Sequence, residues 1–392
     1  MRSIIFTEEF CQPEHLFPLS LTRQIQDCRV GILTIREKWE RSLGLPSFDK
    51  KEDNYKDHEK SVQLAQIKSR DNWYLIHSNL LPTQSLVTAI LKMKEGECLV
   101  TPTNAPLAYY ITSRQLDKKK AIKIIRTIKY ADKIYQVQNP WDLLAFNDWS
   151  IREDFKLLTK GRKSAVIPKG NNVSGLKNIF IEKGASVQFA SINATEGPIY
   201  IAKGATILEG ACLRGPIGIC EGATVKMGAK IYGATTIGPS CVVGGEIKNS
   251  ILFGYSNKSH DGYLGDSVIG EWCNLGAGTS NSNIKNNAGP VRVYTPTGEL
   301  EIGLKCGVVM GDYVRTSINC SINTGSVIGP SSIIFGAALT PRYIPPFSWG
   351  EEGITRYKLD KVVRDIEQWK VLKGMQLTAN EIKMLKFLYK NH

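Results

Sequence analysis

The chain of 392 residues is 42% apolar and 22% charged, a balance that excludes a disordered or fibrous polypeptide, and it exceeds the ~250–300 residues at which a single core stops growing. Two or three domains are expected. Its formal charge of +13 suits anionic partners such as sugar phosphates, nucleotides and coenzyme A, with a merely solvated basic surface as the plain alternative.

At the start of the chain, Met1-Arg2-Ser3-Ile4-Ile5-Phe6-Thr7 turns acidic at Glu8-Glu9 before a signal-like apolar core develops, and no later run approaches the ~20 apolar residues of a membrane helix. No membrane insertion and a cytoplasmic location are therefore expected. Residues 1–160 mix apolar runs such as Trp73-Tyr74-Leu75-Ile76 with helical stretches such as Gln84 to Lys94, the pattern of an α/β domain. The charged stretch Lys50 to Lys60 reads as an exposed loop or helix. The cluster Lys118-Lys119-Lys120 lacks the interleaved aromatics of a base-stacking face, so nucleic acid is not an expected partner. Nine cysteines, scattered from Cys11 to Cys320 without CxxC pairing, fit small buried thiols better than disulfides or a zinc site.

From about residue 165 the pattern changes. Ile201, Ile207, Leu213, Ile219, Val225, Ile231 and Ile237 stand six residues apart, a period that neither a helix nor a flat sheet explains. Small residues and glycines fill the intervals, as in Ile219-Cys220-Glu221-Gly222-Ala223-Thr224, so each unit reads as a short strand and a tight turn. Leu304, Met310, Thr316, Ile322, Ile328 and Ile334 repeat the spacing. Between the two runs, residues 253–262 and 284–300 lack the aliphatic rhythm and read as loops, where a site would be built. After Pro345-Pro346, Tyr357 to Tyr389 reads as one or two amphipathic helices capping the open end.

These repeats resemble the hexapeptide family. The resemblance implies a left-handed parallel β-helix of triangular coils, roughly ten coils of eighteen residues up to about residue 340, stacked ~4.8 Å apart. The segment His260-Asp261-Gly262-Tyr263-Leu264-Gly265-Asp266, with Gly276-Ala277-Gly278-Thr279 and Asn283 after it, resembles the acetyltransferase domain of the bifunctional enzymes that acetylate glucosamine-1-phosphate and then uridylylate it. That family reads His-x-x-Tyr-[Leu/Ile]-Gly-Asp, one repeat, Ile-Gly-Ala-Gly-Thr, and an Asn four residues after the Thr. By this resemblance His260 is the catalytic base, Tyr263 and Asn283 hold the substrate, and Gly276, Ala277 and Gly278 hold acetyl-CoA or donate backbone N–H groups to an oxyanion. Lys248, in Glu246-Ile247-Lys248, matches a phosphate-binding lysine. A second phosphate-binding position, an arginine in the family, falls on Lys230 by ungapped counting, which keeps the charge and loses the bidentate fork. The chemistry suits these types: an amine attacks a thioester carbonyl while a neutral imidazole removes its proton. Zinc carbonic anhydrases on the same prism need three histidine ligands, and His260 is the only histidine between residues 78 and 391.

Leu16 to Glu40, Asn79-Leu80-Leu81-Pro82 and Asn139-Pro140-Trp141-Asp142-Leu143 with Asn147 resemble a divergent sugar nucleotidyltransferase-like domain found fused to such prisms. Ordinary members open with a Gly-x-Gly-Thr-Arg loop that cradles nucleotide phosphates, and this chain has none. Arg23, Arg29 and Lys38 are the candidates to contact triphosphate instead; Mg2+ with UTP or dTTP is implied, the metal-binding residues are unknown, and Asn79 stands where a Gly-Asp pair is expected.

The expected organisation is a nucleotidyltransferase-like α/β domain at 1–160, a β-helix acyltransferase domain at 161–345 and a helical tail at 346–392, forming a homotrimer. The leading activity is acetyl transfer from acetyl-CoA to an amino-sugar phosphate in nucleotide-sugar synthesis for the cell envelope. Two alternatives stand beside it, a nucleotidyltransferase whose prism only assembles the chains, and a non-catalytic binder of nucleotide sugars.

Overall fold

A computed structural model describes residues 2–51, 54–57, 60–64, 71–112, 122–350 and 353–392. The lysine cluster at 118–120 and part of the charged stretch at 50–60 lie outside the described residues. The chain divides into two compact units: Met1–Pro13, Arg23–Cys28 and Leu33–Gln138 form one, and Glu14–Thr22, Arg29–Ile32 and Asn139–His392 the other.

The first unit is built on a seven-stranded sheet in the order Ser61–Val62, Ser47–Lys50, Arg2–Thr7, Asn72–His77, Pro106–Thr112, Glu97–Val100, Arg126–Lys129. Arg2–Thr7 runs parallel to both of its neighbours, while Pro106–Thr112 is antiparallel to both of its own. The predicted apolar run Trp73–Ile76 lies within a central strand, and Ile5, Leu75, Cys98 and Ile111 pack on one face of the sheet. Thr34 opens helix Ile35–Leu43 with a capping box closed by Glu37, and Gly44 ends it at φ 66°, the left-handed conformation that costs glycine least. The helix expected at 84–94 spans Gln84–Lys92.

In the second unit, short parallel strands stack into sheets of eight, six and nine strands, the three faces of the left-handed β-helix. One aliphatic column runs the length of the nine-stranded face: Ile181, Ile201, Ile219, Ile237, Leu252, Ile269, Met310, Ile328 and Ile344 pair in succession. Every side chain in it is at most 2% exposed. Such a column buries apolar area on each neighbour in turn, which is why the period survives changes in coil length. Nine strands on this face give nine coils, close to the ten expected.

Three expectations need correction. Residues 253–262 are not a loop: Ile251–Gly254 and Asn257–Lys258 are strands within the prism, and the aliphatic rhythm is lost because Lys258 takes the inward position six residues after Leu252. Leu304 is 60% exposed and belongs to an insertion, so the second aliphatic run begins at Met310. Third, helices Leu359–Val371 and Ala379–Asn391 do more than close the end. Lys373 donates to Ser240 O and Asn257 Oδ1 at 2.7 and 3.1 Å, and Arg315 lies over the Trp369 ring, so they run along one edge of the prism. Residues 284–300 do leave the prism, and Arg292–Thr295 folds back on Gly298–Glu301 as an antiparallel hairpin.

Helix Pro140–Thr159, which starts at an Asn139 and Asp142 capping box, packs in this second unit. Asn147, fully buried, donates to Ala234 O at 2.7 Å and accepts from Gly31 N at 2.7 Å. Seven of the nine cysteines are buried as expected, Cys11 and Cys212 being the exceptions. Among the described residues no helix is long and apolar enough to cross a membrane.

Candidate active site on the prism

The six-stranded face carries most of the site. Lys230–Tyr232, Glu246–Lys248 and Tyr263–Gly265 lie side by side, with Lys230 opposite Glu246, Tyr232 opposite Lys248, and Glu246 opposite Tyr263. Middle residues Ile231, Ile247 and Leu264 point into the core, and strand alternation sends their flanking neighbours outward. Lys248 Nζ lies 5.7 Å from the Tyr232 ring centre, a cation–π contact. Tyr232 donates its hydroxyl hydrogen to Glu246 at 2.6 Å, and this bond pushes its pKa up to about 12. Lys230 is exposed one coil away, in register with Glu246. The coil that separates the strand of Lys230 from that of Lys248 has sixteen residues, so the residue opposite Lys248 is not Lys230. That residue is Tyr232. Along the same face runs a groove of about 680 Å³ lined by residues that include Asn193, Arg214, Lys230 and Tyr232.

Around Tyr263 the predicted substrate residues meet. Asn283 Nδ2 donates to Tyr263 Oη at 3.1 Å and to Asp266 Oδ2 at 2.5 Å, and Asn249 Nδ2 donates to Asp266 Oδ1 at 2.6 Å. Both carboxylate oxygens of Asp266 are thus held by amides, which fixes Asn283 and with it the phenol. Burial raises the Tyr263 pKa, with Asp266 and Glu246 adding to the effect, so the phenol keeps its proton. Its oxygen accepts from Asn283 and its own hydrogen can be donated outward.

His260 lies exposed where the prism turns from Asn257–Lys258 to Tyr263–Gly265. Beneath it Gly245 has φ 69°, and a Cβ there would come within 2.8 Å of His260 O, so glycine is what lets the two coils approach. Above it, the Gly276-Ala277-Gly278 turn stacks on the same corner, Gly278 N donating to Asp261 O at 3.0 Å. Gly276 N donates to Thr316 O at 3.2 Å. The glycine amides expected to face an oxyanion are therefore spent on neighbouring coils, and the missing side chains make room for the next coil, since a Cβ on Gly276 would meet Ser317 O at 2.3 Å and one on Gly278 Asn319 Oδ1 at 2.1 Å. Sequence reasoning missed Tyr232, Asn249 and Lys258. Lys258 is 1% exposed and its signal was present, since Leu252, Lys258 and Leu264 stand six apart.

In the first unit, Thr7 and His77 pair at the carboxyl ends of two parallel central strands, where open α/β sheets bind ligands. The residues after Thr7 are Glu8-Glu9-Phe10-Cys11 rather than a Gly-rich loop. Glu8 accepts from Ile25 N at 2.8 Å and pairs with Lys56 at 3.0 Å, and Glu9 pairs with Lys50 at 2.9 Å. Phe10 stacks on His77 at 4.8 Å, and burial lowers the His77 pKa to about 4. Asn79, 3% exposed, accepts from Gln136 Nε2 at 3.1 Å. Lys38 is buried in helix Ile35–Leu43. Arg23 lies half-buried in this unit. Arg29 belongs to the second unit, where it is buried and donates to Phe253 O at 3.1 Å and Ile32 O at 2.5 Å. Among the described residues no three His, Cys, Asp or Glu side chains group as metal ligands.

Residues 4–163 match the family model described as sugar nucleotidyl transferase. The chain is 34% identical over 223 residues to the bifunctional protein GlmU of Methanococcus aeolicus, covering 56% of this chain and 47% of that protein. It is 37% identical over 98 residues to the bifunctional sugar-1-phosphate nucleotidylyltransferase/acetyltransferase of Sulfurisphaera tokodaii, covering 25% of this chain and 24% of that protein. It is 32% identical over 169 residues to the uncharacterized acetyltransferase YaiX of Escherichia coli, covering 42% of this chain and 74% of that protein. The chain thus spans about half or less of the length of these bifunctional relatives. With a sugar nucleotidyl transferase segment at residues 4–163, the chain belongs to the acetyltransferase family of the YaiX relative and is similar over part of its length to the bifunctional proteins.

Proposed function

We propose that the prism transfers an acetyl group from acetyl-CoA to the amine of an amino-sugar phosphate such as glucosamine-1-phosphate, in the synthesis of a nucleotide sugar such as UDP-N-acetylglucosamine for the cell envelope. The observation that carries this reading is the convergence of Lys248, Tyr263 and Asn283 on one face beside the His260 corner. The names of the relatives support it independently.

In this reading the phosphate lies against Lys248, with Lys230 and Arg214 along the same groove, and Tyr263 and Asn283 hydrogen-bond the sugar. The amine attacks the thioester carbonyl; the C–N bond forms, the C–S bond breaks, and His260 takes the amine proton and passes it to the departing thiolate. Coenzyme A lies along the turn at Gly276, Ala277 and Gly278, which stacks on the His260 corner. His260 is exposed in the single chain, and a homotrimer, in which a neighbouring prism face covers it, supplies the cleft. The site of action is the cytoplasm.

For the first unit we propose a sugar-1-phosphate nucleotidyltransferase role with UTP or dTTP, resting on the family match. Arg23 is its candidate triphosphate contact. Mg2+ does not fit the donor set at the strand ends, because Glu8 and Glu9 are paired with lysines and Asn79 has no carboxylate.

Replacing His260 with Ala is expected to lower thiol release from acetyl-CoA, in the presence of the amino-sugar phosphate, by about a hundredfold or more, with the oligomer intact by light scattering. Full retained turnover would remove His260 as the base.

A further inference from the structure

Within the prism core the inward position at Lys258 carries a charged side chain. Lys258 pairs with Val243 in the strand below and is 1% exposed, on the same frame as Leu252 and Leu264. An ammonium in an aliphatic stack is unfavourable unless its hydrogens are bonded. Its Nζ donates to Gly244 O at 3.2 Å and, in a shorter bond, to His260 O. Burial lowers its pKa to about 8, with Asp261 opposing that shift.

A methionine of similar length would fill the stack without placing any polar atom there, so packing alone does not call for lysine. What the ammonium adds is a cross-link between two carbonyls at one corner of the prism on successive coils, one of which belongs to the residue whose imidazole emerges at the site. Asp261 O is held from above by Gly278 N at 3.0 Å. The His260 main chain is then fixed from inside the prism and from the next coil.

We propose that Lys258 is a positioning residue for His260, pinning the His260 carbonyl from within the core and so fixing the direction in which the imidazole leaves the corner. This rests on the reading of His260 as the base. Misplacing a reacting group by about 1 Å costs up to ~100-fold in rate, and substrate contacts on the neighbouring face do not involve Lys258.

The test uses the full-length oligomer with Lys258→Met, Lys258→Arg and His260→Ala, measuring acetyl-transfer kinetics, melting profile and amide hydrogen exchange of the 259–262 corner. Lys258→Met is expected to lower kcat roughly ten- to a hundredfold with KM for the sugar phosphate changed less than about twofold. Its corner amides should exchange faster, and Lys258→Arg, which keeps a donor, should recover a large part of kcat. Unchanged kcat in a folded Lys258→Met protein would overturn the proposal while leaving His260 as base. Should Lys258→Met not fold, Lys258→Arg decides: corner exchange and kcat that are both kept or both lost uphold it, and either one changing without the other overturns it. If His260→Ala keeps full activity the catalytic reading fails, and hydrogen exchange still reports whether Lys258 holds the corner.

Discussion

Lys258 couples stability to pH in a direction opposite to that of a surface lysine. Its folded pKa of about 8 lies below the ordinary 10.5, so between these values the unfolded chain binds a proton that the folded chain does not. Stability then rises with pH across that window and is depressed below it, by about 3 kcal/mol if the whole shift is expressed. Comparing urea midpoints of the parent protein and Lys258→Met at pH 8 and pH 10 isolates this contribution from other titrating groups. The parent is expected to gain relative to the variant as pH rises, and parallel behaviour would contradict the assignment. The same residue marks the limit of reading single positions from sequence. His260, Tyr263 and Asn283 were legible because a motif fixed their types and spacing. Lys258 was not, because a charged residue in an aliphatic frame reads as the end of that frame.

The hexad is the element whose energetics explain why the fold was legible at all. Ile219 pairs with Ile201 below and Ile237 above and is fully buried. Truncation to Ala removes contacts on both sides in a stack that cannot easily collapse, and is expected to cost about 2–5 kcal/mol in chemical denaturation. Leu304→Ala, at a position 60% exposed, should stay within about 0.5 kcal/mol of the parent. Equal effects would contradict the inward column. From Ile201 to Ile237 the coils keep eighteen residues between stacked positions, so a fixed period was readable. From Ile237 to Leu252 the step is fifteen and from Ile269 to Met310 it is forty-one. Register there is held by hydrogen-bonded ladders and side-chain stacking rather than by count, so a fixed period could not be followed across residues 237–269.

At the scale of the whole molecule, the two units were unequally legible. The prism announces itself by repetition, and of its candidate site residues Lys230, Lys248 and Tyr263 lie on adjacent strands of one face. In the first unit the sheet follows from its apolar runs, but the ligand-binding end does not. There the phosphate loop is replaced by paired glutamates and a Phe10 stacked on His77, side chains whose partners lie far off in sequence. Arg29 shows the same effect, since its bond to Phe253 O spans more than two hundred residues. The central claim concerns the prism, and the most direct measurement is mass spectrometry of the purified protein incubated with acetyl-CoA and glucosamine-1-phosphate. A sugar phosphate heavier by one acetyl group is expected, formed with the parent protein and lost with His260→Ala. No acetylated product from any of a panel of amino-sugar phosphates, or equal product from both proteins, would contradict it.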